Sequence, residues 1–175
     1  MVPRAPDPPL SDGVVILRPP DERDLPAIDI GIHDPDVVHW FGAPDMTATD
    51  MLALNRRRWA AGSPTFAICE RDDVCVGHVW INLARDDSTI GSVGYFLLPD
   101  ARGRGLATRA VRLIADWAFR ELGLVRLRLS TEPTNEPSQR VAERAGFRRV
   151  EVVAGRHPID GASTEQVLFE LTPGA

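Results

Sequence analysis

The sequence predicts an α+β domain in which helices lie on both faces of one mixed, mostly antiparallel twisted sheet, an α/β/α layering with about seven strands and about four helices. Three observations predict it. The hydrophobic period is helical in residues 24–61, shifts to strand-like runs in 65–98, and returns to helical spacing after Pro99. The strand-like runs are separated by the short polar stretches 71–73 and 85–88, which favours an antiparallel meander. Finally, the stretch 89–131 reads as one strand-helix-strand crossover, which should bring two parallel strands side by side.

The elements follow in order. Residues 1–11 are proline-rich and read as a disordered lead-in, leaving 12–175 as a single domain, a size that can bury roughly 70% of its unfolded surface. Residues 14–17 form a first strand, stopped by Pro19-Pro20. Helices are expected over 24–33 (Leu25, Ile28, Ile32) and 47–61 (Met51, Leu52, Leu54, Trp59), the second opened by a Thr47…Asp50 capping box. Three strands follow, at 65–70, 74–83 and 89–98. An amphipathic helix then carries Leu106, Ala110, Leu113, Ile114 and Trp117 on one face and stops at Gly123. A strand at 125–130, a short helix begun by Asn135 with Pro137 in its first turn and Gly146 past its end, and two strands at 148–157 and 164–171 joined at Asp160-Gly161 complete the chain.

Composition excludes several functions. The chain of 175 residues carries 20 basic and 25 acidic side chains, a formal charge of −5, which argues against a nucleic-acid binder living on phosphate contacts. No apolar run approaches the ~20 residues needed to span a bilayer, and the N-terminus lacks an apolar signal core, so a cytoplasmic protein is expected. Cys69 and Cys75 flank the 71–73 turn and could face each other across a hairpin, by default as reduced thiols. The four histidines are scattered and no metal-ligand spacing occurs, so no metal is expected.

Chemistry concentrates in residues 95–108, where a strand runs into a glycine-containing loop and directly into a helix. A helix N-terminus with free N–H groups is an anion site. Gly103 and Gly105 permit close backbone approach and Arg102 and Arg104 bring positive charge, so a phosphate group is the natural guest. The Walker loop is absent, and Thr108 stands where a dinucleotide fingerprint needs Gly or Ala.

What remains, Arg102-x-x-Gly105-x-Ala107, resembles the acetyl-CoA loop of the GNAT N-acetyltransferase superfamily. Asn135-x-x-Ser138-x-Arg140-Val141 followed by Gly146-Phe147 resembles the corresponding segment of its RimJ/RimL-like branch, as do Leu17-Arg18-Pro19 and the run from Asp34-Pro35-Asp36 to Trp40. The resemblance covers nearly the whole chain and implies the GNAT fold, acetyl-CoA as co-substrate and an amine acceptor, either a peptide or protein N-terminal α-amine or a small-molecule amine. The alternative is a non-catalytic acyl-CoA-binding module or sensor. The family also allows a homodimer.

The resemblance implies that backbone amides of Arg102, Gly103, Arg104, Gly105, Leu106 and Ala107, with the Thr108 hydroxyl, hold the pyrophosphate. The strand around Phe96, Leu97 and Leu98 would pair with the pantetheine arm, Asn135 and Ser138 would stand near the sulfur, and Arg140 would reach toward adenosine. Ser138 is the candidate to protonate the leaving thiolate, because the tyrosine many relatives use seven residues after the Asn is here Ala142. Asn135 also fits a plain helix N-cap and Ser138 a first-turn serine. A glutamate base five residues before the Asn is here Ser130, which leaves Glu132, His157 or Tyr95 as bases, none of them assigned. Trp40, Trp59, Trp80 and Trp117 read as core or pocket wall rather than a cation cage. At pH 7 an α-amine is roughly 10–15% neutral and a lysine amine about 0.04%, a factor of roughly 300 that favours low-pKa acceptors where no clear base exists.

Overall fold

The computed structural model describes residues 3–42, 45–84, 87–156 and 161–174. Eight strands form one sheet: β1 (Leu10–Ser11), β2 (Ile16–Arg18), β3 (Thr65–Cys69), β4 (Cys75–Leu83), β5 (Ile90–Leu97), β6 (Arg126–Thr131), β7 (Arg148–Arg156) and β8 (Ser163–Leu171), in the spatial order β1-β2-β3-β4-β5-β6-β8-β7. Every neighbouring pair is antiparallel except β5 and β6, the two strands expected to flank the crossover. The helices are α1 (Leu25–His33), α2 (Pro35–Phe41), α3 (Ala48–Ala60), α4 (Leu106–Glu121) and α5 (Glu136–Arg144). Among the described residues no helix is long and apolar enough to cross a membrane.

The α+β class and layering are as expected, and among the described residues the counts are larger, eight strands against about seven and five α-helices against about four. Leu10 and Ser11, inside the expected lead-in, pair with Leu17 and Ile16. Helix α2 lies between the two expected early helices, in a stretch given no element from its sequence. Asp34 is an N-cap whose carboxylate accepts from the Val37 N–H at 3.0 Å, and Pro35 begins the helix, where its missing N–H costs nothing. The Thr47…Asp50 capping box forms in both directions, at 3.2 and 3.1 Å. Cys69 and Cys75 are cross-strand partners, both buried free thiols.

The main core lies between the sheet and α4, whose Leu106, Ala110, Val111, Ile114 and Trp117 pack on Val79, Ile81, Val93 and Leu127. Truncating a fully buried residue such as Ile114 to Ala would cost about 2–5 kcal/mol. A smaller cluster, Ile28, Ile32 and Leu52, joins α1 to α3 on the other face. The helices thus clamp the sheet from both sides around its one parallel seam.

Candidate active site

The parallel seam opens partway along. Ile90, Gly91 and Ser92 are in register with Arg126, Leu127 and Arg128, and no pairing between the two strands continues beyond them. β5 stays with β4 through Leu97, whereas β6 stays with β8 through Thr131. An antiparallel ladder alternates the direction of its hydrogen bonds. Leu98 N–H is bonded to Val76 O at 2.9 Å, so the alternation turns the N–H and C=O groups of Val93, Tyr95 and Leu97 toward the side β6 has left. The opening is a cavity of about 680 Å3 bounded by both strands, the start of α4 and the start of α5.

At one end of this cavity a 3-10 turn (Pro99–Ala101) leads through Arg102 to Gly105, the N-cap of α4. Gly103 and Gly105 have φ of 74° and 77°, and a Cβ at either would meet no atom within 4 Å, so the left-handed backbone rather than lack of space requires glycine. No side chain caps α4, and among the described residues no acceptor takes the amide N–H groups of residues 103–108. These donors, aligned with the positive end of a 16-residue helix, form a cradle for a phosphate.

The two loop arginines do not stand free beside that cradle as expected. Arg102 donates to Asp34 at 2.5 Å, Asp36 at 2.6 Å and Leu97 O at 3.0 Å, which ties the loop to the first turn of α2 and to the end of β5. Arg104 forks onto Glu70 at 2.5 and 3.1 Å. Both guanidiniums are therefore largely neutralised, and attraction for an anion rests on the main chain. Burial pulls the Asp34 carboxyl up, but Arg102 and the Val37 N–H outweigh it and hold the group below its ordinary value.

Near the fork of the strands, Asn135 Oδ1 accepts from Ser138 N–H at 3.1 Å as the N-cap of α5, and its own N–H donates to Glu132 O at 3.0 Å. The Tyr95 hydroxyl donates to Ser138 Oγ at 3.2 Å across 43 residues of sequence. Burial pushes the Tyr95 phenol up to about 12, partly offset by Ser138, so it keeps its proton at neutral pH. Ala142, the position of the missing tyrosine, is fully buried. Glu132 stands one residue past the end of β6 rather than on the strand, yet lines the cavity, with no ion-pair partner among the described residues. Arg140 also lines it and pairs with Glu136 at 3.1 Å. His157 lies outside the described residues.

Not every expected cofactor contact shares the cavity. Phe96 and Leu97 line it, but the Phe96 ring turns to the opposite sheet face, edge-on to His78 at 5.4 Å and directly above Gly31. The Leu98 amide is taken by Val76, and the Leu106 side chain is core at 2% exposure. Thr108 is buried and does not line the cavity.

A second cavity, of about 470 Å3, lies between α1–α3 and the sheet and shares Val37, Phe41, Trp80 and Phe96 with the first. Sequence reasoning missed it, although Asn55 and Arg58 sit three apart on one helix, the spacing that places two side chains on a common face. Trp80 lies flat over Gly94, where an added Cβ would meet its indole at 2.4 Å. The tryptophans divide accordingly. Trp40 and Trp80 are cavity wall, while Trp59 and Trp117 pack edge-on against Phe66 in the core, at 5.0 and 5.1 Å.

Comparison with known proteins agrees with this geometry. Residues 15–148 match the family model described as an acetyltransferase (GNAT) domain. "Probable N-acetyltransferase YjcK" of Bacillus subtilis is 38% identical over 112 residues, covering 55% of this chain and 62% of that protein, so the chain spans less than two thirds of this relative. "Uncharacterized N-acetyltransferase YnaD" of the same organism is 25% identical over 136 residues, covering 77% and 79%. Among solved structures, Mycobacterium smegmatis RimJ in complex with CoA-disulfide superposes with a TM-score of 0.79 at 26% identity, covering 98% of this chain and 85% of that one.

Proposed function

The chain belongs to the GNAT acetyltransferase family and is similar to its RimJ branch, and we propose that it transfers the acetyl group of acetyl-CoA to an amine of a peptide N-terminus or a small molecule. The observation that carries this reading is the row of unpaired amides at 103–108, a run whose Gly103 and Ala107 line the β5–β6 opening. Acetyl-CoA supplies the activated acyl group as a thioester, which the amine attacks directly without a covalent enzyme adduct.

In this reading the main chain from residue 103 to 107 binds the pyrophosphate, since the Arg102 N–H, expected to join it, is instead taken by Pro99 O at 3.2 Å, and the outward-facing backbone of Val93 and Tyr95 hydrogen-bonds the pantetheine arm. Leu97 O is engaged by Arg102 and leaves the strand edge to its neighbours. Asn135 holds the first turn of α5 so that Ser138 Oγ faces the opening. Ser138 donates the proton taken by the departing thiolate, while Tyr95 donates into Ser138 Oγ and orients its hydrogen. Asp36 is committed to Arg102, which leaves Glu132 as the lining carboxylate available to accept the proton lost by the amine.

Calorimetric titration with acetyl-CoA, run beside NAD and ATP, tests the donor site. Micromolar binding of acetyl-CoA alone is expected, followed by thiol release on adding an amine. Failure to bind acetyl-CoA would overturn the reading; binding without turnover of any amine would leave an acyl-CoA-binding module.

A further inference from the structure

The second cavity is lined by two polar side chains of one helix, Asn55 and Arg58. Asn55 on α3 is 5% exposed, and its amide has no hydrogen-bond partner among the described residues. Native proteins rarely leave such a group alone without a reason. One turn further on, Arg58 is half-buried and donates to Thr65 Oγ1 at 3.3 Å and Asn82 Oδ1 at 2.7 Å, both neutral. No carboxylate pairs with it among the described residues, although Arg18, Arg102, Arg104, Arg109 and Arg128 each have one. Burial alone pulls the Arg58 pKa down, since no counter-charge opposes it. Much of the remaining wall is apolar, including Ile28, Ile32, Val37, Met51 and Leu54, and among the described residues no Asp or Glu lines it.

We propose that this cavity receives an acceptor amine that also carries a carboxylate and an apolar body, with Arg58 and Asn55 holding the carboxylate. The inference rests on the acetyl-transfer reading, whose acceptor it specifies. A carboxylate supplies the charge that the Arg58 fork lacks and an acceptor for the Asn55 amide. The apolar body fits against α1 and α2. The amine then points toward Trp80 and Phe96, the wall shared with the donor cavity. A polyamine or aminoglycoside would bring several positive charges to a chamber where, among the described residues, the lining Arg58 is itself positive and no carboxylate stands.

The test measures thiol release from acetyl-CoA with matched pairs: leucine against leucinamide, phenylalanine against its amide, 6-aminohexanoate against its amide, and spermidine. At least one acid should exceed its amide and spermidine tenfold or more in kcat/KM, and the best pair fixes the spacing between amine and carboxylate. Arg58→Gln should bring that ratio to about one through KM, with acetyl-CoA affinity by calorimetry unchanged. Asn55→Leu should also lose the preference while its Tm holds or rises, a combination that a merely structural amide would not give. Amides or spermidine used as well as the acids, a preference that survives Arg58→Gln, or no acid turned over by protein that binds acetyl-CoA would each overturn the inference. Protein that does not bind acetyl-CoA at all overturns the transfer reading instead. Direct titration with leucine and 6-aminohexanoate, wild type against Arg58→Gln, then judges the cavity alone: weaker binding by the variant supports it, and equal or absent binding overturns it.

Discussion

The two cavities that meet at Trp80 are made of different material. The opening between β5 and β6 presents main-chain groups, the free amides at the start of α4 and the strand edge that β6 leaves uncovered, with Tyr95, Glu132 and Ser138 gathered at the fork of the strands. The chamber beneath α1–α3 presents side chains, Asn55, Arg58 and His78, among aliphatic and aromatic walls. A site of backbone groups can be altered only by changing the path of the chain, whereas a site of side chains changes with each substitution. One scaffold can therefore keep a common acyl donor and vary its acceptor.

Breaking the backbone side should have the largest effect. Gly105→Glu forces a side chain into a left-handed backbone, at about 1–2 kcal/mol, and places a carboxylate beside the proposed phosphate cradle. Acetyl-CoA affinity should fall about 100-fold or more, about 2.7 kcal/mol, in a calorimetric titration. If this variant binds acetyl-CoA normally, the cradle is in the wrong place.

Next in size is the proton supply. Ser138→Ala should lower kcat about 100-fold, as expected for the loss of a general acid, with acetyl-CoA affinity unchanged. Tyr95→Phe should have a smaller effect, about tenfold on kcat, because it removes only the group that orients Ser138. An equal loss in both variants would show instead that the phenol itself reaches the thiolate.

The wall between the two cavities offers a sharper comparison. Gly94→Ala brings a Cβ to 2.4 Å from the Trp80 indole, so ring or backbone must move, at about 1–3 kcal/mol of stability by thermal unfolding. Acceptor KM should change more than acetyl-CoA affinity, since the indole faces the chamber while the amides of α4 stay in place.

The smallest expected effect tests the brace on the loop. Asp34 has a folded pKa below its ordinary 3.8, so its stabilisation is complete above that value and is lost as pH falls through the folded pKa. Asp34→Asn should lower Tm at neutral pH and flatten its fall below pH 3.8, a difference absent if Arg102 holds the loop through Asp36 alone.

Much of this architecture was legible locally. The Thr47…Asp50 box, the stop at Gly123 and the period changes gave most elements to within a residue or two, because caps and periodicity act over three or four positions. The loop at 102–108 was legible for the same reason: a left-handed glycine followed by an uncapped helix is defined by adjacent residues. Helix α2 was missed because Asp34-Pro35 serves turns and helix starts alike, and only the packing of Val37 separates the two.

The sequence by itself determined the order of the strands and helices apart from β1 and α2, the parallel crossover and the glycine-bearing loop before α4, all set by short-range sterics and hydrogen bonding. Only the tertiary structure decided how far β5 and β6 stay paired, that Arg102 turns to Asp34 and Asp36, that Tyr95 reaches Ser138, and that Asn55 and Arg58 line one chamber with His78 and Trp80. These contacts join residues far apart in the chain, and their geometry depends on where the packed helices and the twisted sheet place them, which no local pattern encodes.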